Sequence, residues 1–248
     1  MGSGGDGNGA TEHPVRINIV TVFPDFFGAP LSLSIPGRAA AAGLVEYRVL
    51  DLRAFARDRH RTVDDYPFGG GAGMVLKPEP FFEAVESLPD RTGPVVLMSA
   101  RGRVFTHEDA VRLSLERELT ILCGHYKDVD QRVAEGLATE ELSLGDFVLS
   151  GGEIPALAVT DAVVRLLPGA LGTHESAAGD SFYDAGLLSP PSYTRPAEYR
   201  GTKVPEVLLT GDHARIAAWR LAEAERLTRE RRPDLWRKHE GTHDEGRV

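Results

Sequence analysis

Ser143-Leu144-Gly145-Asp146-Phe147-Val148-Leu149-Ser150-Gly151-Gly152-Glu153 is the stretch around which the rest of the chain is organised. Six of its eleven residues are Gly, Ser or Asp, yet Leu144, Phe147, Val148 and Leu149 are apolar types usually found buried. This mixture suits backbone held tightly inside a fold, where glycine lets another segment or a ligand approach closely. Ile154 to Leu167 then reads as a helix, with Pro155 in its first turn and Pro168-Gly169 ending it. A Gly-rich loop that opens a helix offers unpaired N–H groups to a polar ligand. An ordinary tight connection fits the same residues. Val148 stands where a Gly-x-Ser-x-Gly elbow needs its first glycine, G-x-G-x-x-G is absent from the loop, and the chain has no Gly-Lys-Ser/Thr. Neither a serine-hydrolase nucleophile nor a standard phosphate cradle is therefore present.

Upstream, strands and helices alternate. Val15 to Val22 is apolar and β-branched, a first strand. Ser34 is placed to cap a helix that carries Pro36 and ends at Gly43, and Leu44 to Leu50 forms a second strand. A long loop, Asp64 to Val75, holds Gly69, Gly70, Gly71 and Gly73, a pattern that suits an anion nest, a lid or a plain connector. A helix over Pro80 to Leu88 precedes a third strand, Val95 to Met98, and the turn Ser99-Ala100-Arg101-Gly102. Thr106 and Asp109 form a capping box for a helix to Arg117. Leu119 to Cys123 is a fourth strand ending in Gly124-His125-Tyr126, and Asp128 to Leu137 reads as a short helix. This alternation predicts an α/β fold, a parallel sheet with helices on both faces. Ligands of such sheets lie beyond the carboxyl ends of the strands. Those ends carry Ser99, Gly124 to Tyr126 and the 143–153 loop, three sets of small residues that point to one pocket.

Composition bounds the function. With 248 residues, 42% hydrophobic and 26% charged, the chain can bury a full core in one or two domains. Its single cysteine, Cys123, excludes an intramolecular disulfide and a cysteine-rich zinc site, and it fits a reducing compartment. No run of about 18 apolar residues exists, so no membrane span is expected. Gly-rich residues 1–13 lack an apolar core and read as disordered or artificially appended.

The net charge of −9 is unevenly spread. Arg215 to Lys238 holds eight basic residues against four acidic ones, leaving +4 there and −13 elsewhere. Such asymmetry suits a nucleic-acid surface, although a solvated helix face has the same look. Between Gly169 and this segment lie a small, polar stretch and a Pro-rich one, Leu187 to Lys203, followed by Val204 to Leu209 as a short strand. His213 to Arg232 is a long helix stopped by Pro233. His239-Glu240-Gly241-Thr242-His243 matches H-E-x-x-H, but Gly241 interrupts the helix face and no third ligand follows, so a frayed tail is expected and no metal site.

The sequence resembles the bacterial tRNA (guanine-N1)-methyltransferases, of the SPOUT class, from Arg16 to Trp236. The likeness rests on Phe-Pro-Asp-Phe-Phe (23–27), Phe-Gly-Gly-Gly-Ala-Gly-Met (68–74), Cys-Gly-x-Tyr (123–126) and the 143–153 stretch. It continues through Asp-Ser-Phe (180–182), Gly-Leu-Leu (186–188), Tyr-Thr-Arg-Pro (193–196) and Val-Pro-Glu-Val-Leu-Leu-Thr-Gly-Asp-His (204–213). It implies a deep trefoil knot in the parallel-sheet domain and a small, mainly α-helical C-terminal domain. It also implies an obligate cytoplasmic homodimer whose active site is shared between subunits. The expected organisation is 1–13 outside the fold, 14–171 knotted and cofactor-binding, 172–185 a linker or lid, 186–240 helical and tRNA-binding, and 241–248 a tail.

The implied cofactor is S-adenosylmethionine. Its expected contacts are Leu97, Ser99, Gly124, Tyr126, Ser143, Leu144, Gly145, Asp146, Phe147, Val148, Leu149, Gly151 and Gly152. The implied reaction methylates N1 of the guanosine just 3′ of the anticodon. Because that N1 carries a proton, a carboxylate base is needed, and charge developing on O6 calls for an arginine or a bound cation such as Mg2+. By motif position the base is Asp180 and its helper Arg165; no pattern assigns ligands for Mg2+. One departure stands out. Where the family commonly runs Arg-Tyr-Glu-Gly, this chain has His125-Tyr126-Lys127-Asp128, reversing a charge near the cofactor, with Asp128 the expected stand-in for the amino-group contact. Methylation of another RNA position, such as a ribose 2′-OH, and an RNA-binding relative with impaired catalysis remain the alternatives.

Overall fold

The computed structural model describes residues 13–89, 91–171, 179–183 and 186–245; side chains are described through residue 241. Nearly all of the expected leader, most of the 172–185 linker and the last three residues lie outside these. The chain divides into two units, 1–172 and 173–248.

The first unit is built on five parallel strands in the order β2-β1-β6-β5-β8. They are β1 (Val15–Thr21), β2 (Val45–Asp51), β5 (Val95–Val104), β6 (Glu118–Cys123) and β8 (Glu140–Ser143). Alternate side chains feed two cores. Ile17, Ile19, Val96, Met98, Ile121 and Cys123 face one side, where α2 (Ser34–Ala41), α4 (His107–Ser114) and α6 (Glu153–Val164) cover them. Val20, Leu97 and Leu122 face the other, under α3 (Pro78–Glu86) and α5 (Gln131–Gly136). Each fully buried Leu, Ile or Phe contributes about 1.5–3 kcal/mol of hydrophobic burial. The expected parallel sheet with helices on both faces is thus present. Among the described residues no helix is long and apolar enough to cross a membrane.

Several local expectations are corrected. Strand β8 escapes a reading of local pattern because it is four residues long and begins with two glutamates. Glu140 is satisfied by the side chains of Arg112 in α4 and Arg103 in β5, each at 2.7 Å, which offsets its poor strand propensity. Asp128 to Leu137 is not one helix. Asp128–Val129 is strand β7, Asp130 caps α5 through the Arg132 N–H at 2.9 Å, and the helix begins at Gln131. The ends of the 64–75 loop also pair: β3 (Asp64–Asp65) runs antiparallel to β4 (Val75–Leu76), and β4 runs parallel to β7. Ser34 is the first residue of α2 and not its cap, a position held by Leu33.

The capping box is present. Thr106 Oγ1 accepts from the Asp109 N–H, and the Asp109 carboxylate accepts from the Thr106 N–H at 2.9 Å. The same carboxylate takes a hydrogen bond from Arg103, which first of all holds it well below the usual carboxylate range. A depressed carboxyl adds stability above its unfolded pKa and loses it as pH falls through the folded one. Asp109→Asn is expected to cost about 1–3 kcal/mol at pH 7. The gap to the parent should narrow as pH is lowered below about 4, measured by urea unfolding. A gap independent of pH would dismiss the ionic part.

In the second unit, β9 (Glu198–Tyr199) and β10 (Thr202–Lys203) form a small hairpin ahead of α7 (His213–Arg231) and α8 (Pro233–Glu245). Residues Glu206–Leu209 form a 3-10 turn and not the expected strand; Pro205 precedes them and removes a ladder donor. Helix α8 passes through Gly241 to Glu245, so the expected frayed tail is helical at least that far. A single helical glycine costs only about 1 kcal/mol.

Candidate active site

Strands β6, β5 and β8 are neighbours and parallel, so their carboxyl ends lie side by side. Strand β5 keeps one register with β8 through Met98 and resumes it shifted at Arg103. The intervening Ser99 to Gly102 bulges, and at Gly102 a Cβ would sit 2.5 Å from the Glu141–Leu142 backbone. That irregularity stops close pairing at Ser99 and opens a cavity of about 270 Å³. Its size is just below the range of ligand pockets, roughly 300–1,000 Å³.

Eleven of the expected cofactor contacts line this one cavity: Leu97, Ser99, Gly124, Tyr126, Ser143, Leu144, Phe147, Val148, Leu149, Gly151 and Gly152. Gly145 and Asp146 belong to the same loop but do not line it. Gly145 has φ +150°, and Ser143 Oγ receives the Gly145 N–H at 3.1 Å, so both residues shape the loop's turn.

The loop returns onto the end of β6. Gly152 N–H donates to Gly124 C=O at 2.7 Å, and His125 and Gly151 form an antiparallel bridge. A Cβ on Gly152 would lie 2.7 Å from Cys123 Cα and 2.8 Å from Gly124 N. The glycine is thus required first by the chain's own backbone, where the sequence alone suggested room for a ligand. Cys123 beneath it is fully buried, and burial pushes its thiol well up. Tyr126 is held at φ +60°, a left-handed conformation costing of order 1–3 kcal/mol that a packed site must sustain.

Sequence reasoning missed Glu153 as a positioning group. Buried in the first turn of α6, it accepts from Thr21 Oγ1 at 2.8 Å, and His125 Nδ1 lies 3.5 Å from its other oxygen. The apolar neighbours of Glu153 in sequence gave no hint that a carboxylate would be enclosed there. Also unforeseen at the cavity wall are Arg101 and Pro155. Arg101 is paired with Asp128 at 3.3 Å. Lys127 lies at the wall as well, its stem against Gly73 of the Gly-rich loop.

Arg165 ends α6, its N–H bonded to Asp161 C=O at 3.1 Å. Asp180 belongs to the second unit and lines a groove there together with Tyr193, Arg195 and Arg220. Its turn is anchored: Phe182 N–H donates to Leu187 C=O at 2.7 Å, and Ser189 N–H to Ser181 Oγ at 2.9 Å. Leu188 N–H then reaches the buried Thr228 Oγ1 of α7 at 2.8 Å.

The basic run of the second unit is less free than its composition suggests. Arg226 is paired with Glu223 at 2.6 Å and Glu230 at 2.9 Å, and Arg232 with Asp234 at 2.6 Å. Arg229 stacks 4.3 Å from the Trp236 ring. Among the described residues, Arg195, Arg215, Arg220 and Arg231 have no carboxylate partner.

Comparison with known proteins accords with this arrangement. Residues 15–238 match the family model described as tRNA (Guanine-1)-methyltransferase TrmD. The chain is 55% identical over 223 residues to a tRNA (guanine-N(1)-)-methyltransferase of Gloeobacter violaceus, covering 89% of this chain and 98% of that protein. It is 52% identical over 225 residues to the protein of the same description from Brevibacillus brevis, covering 90% and 92%. With that of Bacillus subtilis it shares 48% over 228 residues, covering 91% and 93%.

Proposed function

The chain belongs to the tRNA (guanine-N1)-methyltransferase family, an enzyme family that methylates N1 of guanine in tRNA, and from that premise we propose the finer assignments. The methyl donor is S-adenosylmethionine, held where β5, β6 and β8 end. The acceptor is the guanosine immediately 3′ of the anticodon. The observation that carries this reading is the single cavity walled by three strand ends and the 143–152 loop. Its residues suit the donor: bare backbone at Gly124, Gly151 and Gly152 permits close approach, leucines offer an apolar wall, and charged groups stand beside them.

The cofactor supplies an electrophilic methyl group on a sulfonium. The chain's task is then to align N1 and remove its proton. Asp180 accepts that proton as the carboxylate base, and the Arg165 guanidinium stabilises the charge that gathers on O6. Mg2+ could share the second role, although no cluster of ligands for it stands out among the described residues. Membership of the family supports a deep trefoil knot in the parallel-sheet unit. It also supports a homodimer with a shared site; the exposure of Phe147 and Val148 at the cavity loop favours cover by a second copy. A tRNA substrate accords with a cytoplasmic location.

The test is methyl transfer to tRNA transcripts, with the product mapped by mass spectrometry. We expect 1-methylguanosine next to the anticodon, lost when that guanosine is replaced by adenosine. A methyl group on a ribose 2′-OH, or no transfer beside intact tRNA binding, would favour the alternative readings.

The tRNA surface is drawn by the unpaired arginines. Replacing Arg215, Arg220 and Arg231 together by Ala should flatten the log–log salt dependence of tRNA affinity by up to about 0.7–0.9 for each phosphate no longer neutralised. Replacing Arg226 and Arg232, already paired with carboxylates, should change it less. Equal slopes for both sets in filter binding would refute this assignment.

A further inference from the structure

Lys127 lies at the cavity wall, and its surroundings leave its charge unanswered. The cavity wall contains one carboxylate, Asp128, against two permanent cations, Arg101 and Lys127. One oxygen of Asp128 is engaged: Arg101 holds its Oδ1 at 3.3 Å, and the Val129 N–H donates to the same oxygen at 2.8 Å. Among the described residues no carboxylate pairs with Lys127.

The lysine is nonetheless held in place. Its N–H donates to Met74 C=O at 3.0 Å as β4 and β7 pair. The Gly-rich loop folds over its stem: a Cβ at Gly73 would lie 3.2 Å from Lys127 Cβ, and one at Gly71 would lie 3.2 Å from Nζ. Gly69, Gly70, Gly71 and Gly73 all have positive φ, between +78° and +112°. Gly71 and Gly73 therefore leave the room that the ammonium and its stem occupy.

A ligand entering this wall must answer one surplus positive charge. S-adenosylmethionine carries a sulfonium, an ammonium and a carboxylate, and only the last can do so. We propose that Lys127 is the residue that binds the α-carboxylate of the cofactor's amino-acid end, leaving Asp128, shared with Arg101, for the α-ammonium. This rests on the reading of the cavity as the cofactor site. The pair Lys127 and Asp128 then complements an amino acid's two charges from adjacent positions.

The test compares two ligands that differ only in the carboxylate, S-adenosylmethionine and its decarboxylated analogue, by calorimetry on the full-length protein. A charge-assisted contact predicts that the parent binds the first about tenfold more tightly or better. Lys127→Met should bring the two affinities within about threefold of each other, chiefly by weakening S-adenosylmethionine, because the analogue never used the lysine. Lys127→Arg should keep most of the discrimination, and thermal melts of both variants report that the fold is retained. If Lys127→Met keeps the full gap, the inference is overturned while the cavity assignment stands. If the parent binds neither ligand, both fall.

Discussion

Asp180→Asn is expected to lower turnover by about 10²-fold or more while leaving cofactor affinity nearly unchanged, since it keeps the side chain's size but cannot accept a proton as a carboxylate does. The residue is well placed to be a base held by scaffold. Its turn is tied by Phe182 and Ser189 to residues 187–189, and these in turn are anchored on Thr228 in α7. These backbone and serine anchors persist in the Asn variant, so the turn should stay in place. Arg165→Ala should have similar severity, because charge left on O6 makes the N1 proton harder to remove. Acting on one step, the two should be far from additive, with the double variant little worse than either. In a shared-site dimer, mixing Asp180→Asn protomers with Gly152→Val protomers should restore part of the activity, since one hybrid site then has both an intact pocket and an intact base. Single-turnover methylation at the parent rate by the Asn variant would remove Asp180 from the mechanism; the absence of any recovery on mixing would count against the shared site.

Gly152→Val is expected to abolish detectable cofactor binding. The first atoms a side chain meets are Cys123 Cα and Gly124 N, both backbone in the end of a fully buried strand and unable to rotate aside. The loop must lift, breaking the 2.7 Å Gly152–Gly124 hydrogen bond and parting two walls of the cavity. Overpacking of this kind costs about 1–3 kcal/mol, so the melting temperature should fall as well. A second readout follows from Cys123, enclosed beneath the glycine. Its thiol should be inert to a disulfide reagent in the native parent and reactive in the variant. Normal affinity in the variant would place the cofactor elsewhere.

Much of the fold was legible because its strongest signals are periodic and chemical. The β-branched run at Val15, the mainly apolar run at Leu119 and the Thr106–Asp109 box each declare a local structure that tertiary contacts reinforce. Strand β8 was hidden because it starts with two glutamates, the first of which is satisfied by arginines from β5 and α4, a partnership that no local pattern encodes. The grouping of the cavity residues was legible from small residues after strands. The enclosure of Glu153 was not, since it depends on Thr21, 132 positions away. Nor did the count of basic residues reveal which were free: Arg226 and Arg232 are neutralised by carboxylates close by in sequence, so composition overstates the surface they offer.

The order β2-β1-β6-β5-β8 also governs how the protein emerges from the ribosome. Strand β1 can pair with β2 as soon as residue 51 is available, but its other edge waits for β6, where Arg16 meets Glu118. About 70 residues separate the end of β2 from the end of β6. At roughly 5–20 residues per second, that edge stands open for about 4–14 s during synthesis. An apolar strand edge exposed for so long is a template for pairing with other nascent chains. The edge of β1 that β6 covers in the finished sheet is thus open to mispairing while the chain is being made.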